Sequence, residues 1–200
     1  ADLRDIGPPQ GALSLEILKG CQLSYPEHAD NSQQIFASIV EFVREERIHP
    51  NDICIVSGSI AMLRKVDKLI RDLRNEKTQT TFETQEQFEW ITTRKNVTKE
   101  QARNDLETLR SSKKLFFQLN SGLIKLATIH SFKGMEASTV VYVPSRSEND
   151  EMVYTSITRA RKNLLILFPK DSPYLKFFSE SILITPAQPA DHAQNQYAIS

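Results

Sequence analysis

The sequence predicts an α/β domain: a mostly parallel sheet with helices on both faces and a small helical insertion. Three observations lead there. Strand-like and helix-like segments alternate along the chain with short connections, the pattern of a parallel sheet. The run Ile53-Cys54-Ile55-Val56 is continuously apolar, the mark of a strand buried on both faces. Apolar residues in 33–47, and again after Ser59, recur at helical spacing and give each segment one apolar stripe.

In chain order, residues 1–12 hold Gly7-Pro8-Pro9 and Gly11 and form a lead-in loop. Residues 13–18 alternate Leu, Leu and Ile against Ser and Glu, as a half-buried strand does. Pro26 and Asp30-Asn31-Ser32 supply a turn and a helix N-cap. The helix over 33–47 turns Ile35, Phe36, Ile39, Val40 and Val43 inward, and His49-Pro50-Asn51-Asp52 ends it. After the strand 53–56, Ser57-Gly58-Ser59 turns into a helix with Met62, Leu63, Val66, Leu69, Ile70 and Leu73 along one stripe. Residues 79–83 are a candidate strand.

A polar stretch follows, anchored by Phe88, Trp90, Ile91, Leu106 and Leu109, with a helix start at Thr98-Lys99-Glu100-Gln101. Phe116, Phe117 and Leu119 lead back to the extended run 123–125. A polar loop over 128–136, a strand at 138–143 and a strand at 163–168 complete the pattern, and Asp171-Ser172-Pro173 opens a short last helix through Phe178. The expected organisation is therefore a lead-in at 1–12, one domain at 13–180 with a helical insertion at 84–112, and a disordered tail at 181–200.

The chain has 200 residues, 40% of them hydrophobic, enough for one domain with a real core. Its 25 basic and 25 acidic residues cancel, so no global field draws it to nucleic acid or membrane. Cys21 and Cys54 lack metal-site spacing and read as buried reduced thiols of an intracellular, cytoplasmic protein. No metal ligand set, signal peptide or membrane span is predicted. The start at Ala-Asp-Leu reads as an excised fragment, and no Gly-x-x-x-x-Gly-Lys-Ser/Thr phosphate loop occurs.

Chemistry concentrates in two stretches. The first, 126–136, reads Leu-Ala-Thr-Ile-His-Ser-Phe-Lys-Gly-Met-Glu and hangs between two predicted strands, where α/β proteins place ligands. Its Gly134 has no Cβ to keep a phosphate or sugar from the backbone. The second, 152–161, reads Met-Val-Tyr-Thr-Ser-Ile-Thr-Arg-Ala-Arg. From 111 to 133 the chain carries Lys113, Lys114, Lys125, His130 and Lys133 and no acid, a local basic stretch suited to phosphates or simply solvated. Arg159 offers a planar charged fork for phosphate oxygens, or else caps a helix end opposite Glu148, Asp150 or Glu151. Arg161 and Lys162 read as solvated. Ser57 and Ser59 touch a phosphate or cap the helix that follows them.

Together the two stretches resemble motifs V and VI of the UvrD/Rep-type superfamily 1 DNA helicases. The first matches Thr-(Leu/Ile)-His-Ser-x-Lys-Gly-x-Glu almost fully, and the second matches Tyr-x-x-x-Thr-Arg-Ala at every fixed position. Over roughly 13–168 the resemblance implies the C-terminal RecA-like core domain of an ATP-dependent DNA helicase. It implies that Arg159 is an arginine finger on the γ-phosphate of ATP, and that Glu136 meets the ribose with Gly134 close by. Thr128, His130 and Lys133, with Ser57 and Ser59, would face single-stranded DNA, and Tyr154 would pack in the motif core. An N-terminal RecA-like domain of the same protein would supply the phosphate loop and the Mg²⁺ ligand, so the fragment alone would be inactive. Ala137 departs from the aromatic residue usual at that position. Two other classes stay open: a non-catalytic nucleic-acid or protein-interaction module on the same fold, and part of an RNA helicase.

Overall fold

The computed structural model describes residues 31–145, 148–169, 172 and 174. The expected lead-in loop, the strand at 13–18, Cys21, the turn through Asp30, most of the last helix and the tail lie outside the described residues. Five strands form one sheet: β1 (Ile53–Ser57), β2 (Thr78–Thr80), β3 (Ile124–Thr128), β4 (Ala137–Tyr142) and β5 (Ala160–Ile166). Their order is β2-β3-β1-β4-β5, and every neighbouring pair is parallel. This is the α/β parallel sheet the sequence predicts.

Burial of the central strand on both faces explains its composition. Ile53 and Ile55 point to one face, where α1 (Ser32–Glu45) and α2 (Ile60–Arg74) cover them with Ile35, Ile39, Leu63, Val66 and Ile70. Cys54 and Val56 point to the other, under Ile129 and Phe132 of α5 (Ile129–Phe132) and Val153 of α6 (Asp150–Ile157). Cys54 is fully buried, and that burial pushes its thiol well above the ordinary range against the opposing pull of Lys125. Leu73 falls off the predicted stripe: it sits in the last turn of α2, past the sheet, and is exposed.

The polar stretch folds as a helical pair, α3 (Gln85–Thr93) and α4 (Lys99–Leu115). Each begins with a capping box, Thr84 with Gln87 and Thr98 with Gln101, so each side chain satisfies an orphan amide of the other residue. A charged cluster fastens this pair to the sheet. Glu83, fully buried, accepts from Arg64 at 3.1 Å and from both Nε and an Nη of Arg110, at 2.7 and 2.8 Å. Arg64 also lies 3.6 Å from the Phe88 ring centroid. Burial alone would raise the Glu83 carboxyl, but the Arg110 hydrogen bond, a backbone amide and both arginine charges hold it below its ordinary value. Trp90, expected as an anchor, lies on the outer face of α3, 63% exposed, with Arg94 over its ring.

Candidate functional site

Because all five strands run the same way, their ends divide the candidate residues between two opposite edges of the sheet. Thr128 and Ser57 are register partners at the C-terminal edge. Ala137 and Ala160 are partners at the N-terminal edge, directly after Glu136 and Arg159. At about 3.3 Å per residue, β4 separates these edges by roughly 20 Å. Ser57 and Thr128 therefore stand at the opposite end of the strands from Glu136 and Arg159, while Lys133 and Gly134 are neighbours in the connection between the two edges.

At the C-terminal edge the predicted polar loop opens as a short helix, because Thr128 caps it. The Thr128 hydroxyl accepts from the Ser131 amide at 3.3 Å and shares a 2.8 Å hydrogen bond with the Ser131 hydroxyl. His130 is exposed on that turn. With Lys133, Glu151, Met152 and Thr155 it lines a small cleft between α5 and α6. Lys133 reaches Glu151 at 3.4 Å across this cleft, with both side chains exposed. Ser59 caps α2 by accepting from the Met62 amide at 3.3 Å. Ser57 is fully buried, and its hydroxyl accepts from the Ser59 amide at 3.1 Å. Ser59 thus serves as the cap, Ser57 fixes the turn before it, and only Ser59 keeps access to solvent.

One contact here has no sequence signal. The Gly58 amide donates to Glu148 at 2.7 Å across 90 positions, and the Tyr142 hydroxyl donates to the other oxygen of the same carboxylate. A Cβ on Gly58 would lie 2.6 Å from Glu148 Oε1, so glycine is what allows this close approach.

The acid-free stretch from 111 to 133 does not form one basic face. Lys125 is 1% exposed: its Nζ donates to the Asn51 carbonyl and, at 3.1 Å, to Asn51 Oδ1. Burial pulls its pKa below the ordinary lysine value. Lys113 turns inward to donate to Thr80 Oγ1 at 2.9 Å, and burial lowers it too, against the pull of Asp67 and Glu83. Lys114, His130 and Lys133 remain exposed. The reason is strand parity: Lys125 stands beside Cys54 on a covered face of the sheet.

At the N-terminal edge Gly134 takes φ +86°, and nothing lies within 4 Å of where its Cβ would be. The backbone conformation therefore demands glycine there, whether or not a ligand approaches. The Ala137 amide donates to the Arg159 carbonyl at 3.0 Å, joining the starts of β4 and β5. Arg159 is half-buried with its Nε shielded and unpartnered. The three acids that would have tied it down are engaged elsewhere. Glu148 holds Gly58 and Tyr142, Asp150 accepts from Tyr174 at 2.7 Å, and Glu151 faces Lys133. Among the described residues Arg159 has no ion pair.

Two expectations change here. Arg161 is not merely solvated: its Nε donates to Glu136 Oε2 at 2.9 Å. A β-bulge makes this possible. Ala137 pairs with Ala160 but Thr139 pairs with Asn163, so β5 holds one residue more than β4 between those pairs. Tyr154 is not core packing: it is half-exposed on α6, and its hydroxyl has no partner among the described residues. Also among the described residues, no three His, Cys, Asp or Glu side chains gather as metal ligands. No described helix is long and apolar enough to cross a membrane.

The all-parallel sheet places the chain in the class of α/β domains with candidate polar residues at both ends of the strands. Within that class, residues 123–167 match the family model of the UvrD-like helicase C-terminal domain, and the match spans both motifs. The chain thus carries a helicase-related segment that fits a C-terminal helicase domain. Among solved structures it is similar to the C-terminal domain of a possible DNA helicase from Lactobacillus plantarum WCFS1. That similarity has 14% identity and a TM-score of 0.45, over 77% of this chain and 76% of that one. A comparison with curated proteins gives no match.

Proposed function

We infer that this chain is the second core domain of an ATP-dependent DNA helicase, acting on intracellular DNA together with a first core domain. Arg159 serves as the arginine finger. The observation that carries this reading is its shielded Nε, which has no hydrogen-bond partner, on a side chain with no ion pair among the described residues. A buried arginine Nε without a partner is costly, and phosphate oxygens would satisfy it. Glu136 keeps Oε1 without a partner among the described residues, and this oxygen suits a ribose hydroxyl. Magnesium-bound ATP fits this edge only in part, because the described residues provide an arginine and a carboxylate but neither a phosphate cradle nor a metal ligand set. Those would come from the first core domain.

Single-stranded DNA would run along the opposite edge, past Ser59, Thr128, His130 and Lys133. With few free cations there, binding is weak, independent of sequence and steeply reduced by salt.

The test is DNA-stimulated ATP turnover by the full-length protein that carries this chain. Arg159→Ala should lower turnover by about 10³-fold or more, the scale of an arginine finger, and leave single-strand affinity near its original value. That factor corresponds to roughly 4 kcal/mol of barrier. Arg159→Lys should restore little, because an ammonium lacks the planar fork. Lys162→Ala, exposed and without a described partner, is the control. Near-normal turnover by Arg159→Ala would end the assignment.

A further inference from the structure

Beyond the three motif residues expected to meet the nucleotide stands Arg161, which no motif position covers. Its contact with Glu136 depends on the bulge. In a regular parallel pair, residues two apart on one strand face residues two apart on the next. Here Thr139 on β4 meets Asn163, three positions after Ala160, and the Asn163 amide donates to Thr139 Oγ1 at 3.1 Å to hold that register. The extra residue turns the start of β5, and Arg161 comes to lie against Glu136. Glu136 follows Gly134 by two residues and immediately precedes the Ala137 amide that is tied to Arg159. Its backbone is therefore fixed on one side while its side chain, 46% exposed, would rotate freely without a partner.

We propose that Arg161 is a positioning residue for nucleotide recognition: it clamps Glu136 Oε2 and leaves Oε1 aimed at a ribose hydroxyl, so that it sets discrimination at the sugar. This rests on the reading of Glu136 given above. The chemistry is that of a carboxylate with two acceptor oxygens. With one oxygen held by an arginine, the other has a defined direction and loses little further freedom when a hydroxyl arrives. Arg161 itself touches neither sugar nor phosphate. Its exposed pair with Glu136 adds little to folding, so the geometry serves recognition more than stability.

The experiment measures kcat and KM of the full-length protein with ATP, 2′-deoxy-ATP and 3′-deoxy-ATP. The original protein should favour ATP over one of the deoxy analogues by about tenfold in KM, the scale of one hydrogen bond to a charged group. Glu136→Gln should lose most of that preference. Arg161→Ala should lose it to a similar degree, with kcat at saturating ATP within about twofold. Adding Arg161→Ala to Glu136→Gln should then change nothing more. Arg161→Lys should recover part of the preference, and Lys162→Ala should keep all of it. If Glu136→Gln loses the preference while Arg161→Ala retains it, the clamp is wrong and the ribose role of Glu136 stands. If Glu136→Gln itself retains it, the ribose role falls and takes the clamp with it.

Discussion

Two glutamates of this chain meet arginines in opposite ways. Glu83 lies between α2 and α4 with no exposure, and two guanidiniums supply three hydrogen bonds to its carboxylate. Glu136 stands at the sheet edge, 46% exposed, with one arginine on one oxygen. A carboxylate removed from water must be paired or it destabilises the fold, so Glu83 has both oxygens engaged, although Arg64 Nε in the same cluster is shielded without a partner. A charge at the rim costs little to leave partly free, so Glu136 keeps one oxygen without a partner among the described residues.

The largest expected effect follows from breaking the Glu83 cluster. Glu83→Ala leaves Arg64 and Arg110 facing each other without a carboxylate and should destabilise the fold by about 3–5 kcal/mol. Thermal melting should fall by on the order of 10 °C. A loss as small as that of a surface pair would show that water reaches the cluster.

Acid should sharpen the same contrast. The Glu83 carboxyl is held below the ordinary value of 4.5 in the folded chain, so the unfolded chain takes up that proton first. Its stabilisation is complete above that value and is lost as pH falls through the folded one. Glu86 acts in the same direction. Burial would raise it, but its own backbone amide, the Thr84 hydroxyl and Arg71 bring it down to about 2, and its half-exposed position discounts the contribution. Melting temperature measured from pH 7 to 2 should therefore drop below about pH 4.5. Glu83→Gln should flatten that drop.

A smaller effect belongs to the C-terminal edge. Gly58→Ala forces the Glu148 side chain away and should cost about 1 kcal/mol, the net worth of a hydrogen bond, read by denaturant titration. The smallest belongs to the open edges. Arg161→Ala and Lys133→Ala should each leave stability within about 0.5 kcal/mol, whatever they do to ligands. A larger loss from either would mean that the rim is structural after all.

Much of this was legible in the sequence for a physical reason. A doubly buried strand must be apolar throughout, so Ile53-Cys54-Ile55-Val56 declared its central place. The capping boxes at Thr84 and Thr98 rest on local spacing alone, and the one at Thr98 was readable as a helix start. What stayed hidden depends on contacts between distant positions. Lys125 looked like part of a basic face until strand register placed it beside Cys54. Arg161 looked free because a bulge leaves no mark in composition. Glu148 reaches Gly58 across 90 positions, a distance no local pattern spans.

The position of β1 also bears on how the chain is made. Its partners are distant in sequence: Cys54 pairs with Lys125, 71 positions on, and Ile53 with Thr139, 86 positions on. A ribosome adding roughly 5–20 residues per second leaves this strand without either neighbour for about 4–14 s after its own synthesis. During that interval, among the described elements, α1 and α2, made just before and just after it, shelter Ile53 and Ile55. The face carrying Cys54 and Val56 waits for α5 and α6, so the nascent chain holds a sticky, half-covered ribbon that invites chaperone capture until β4 has emerged.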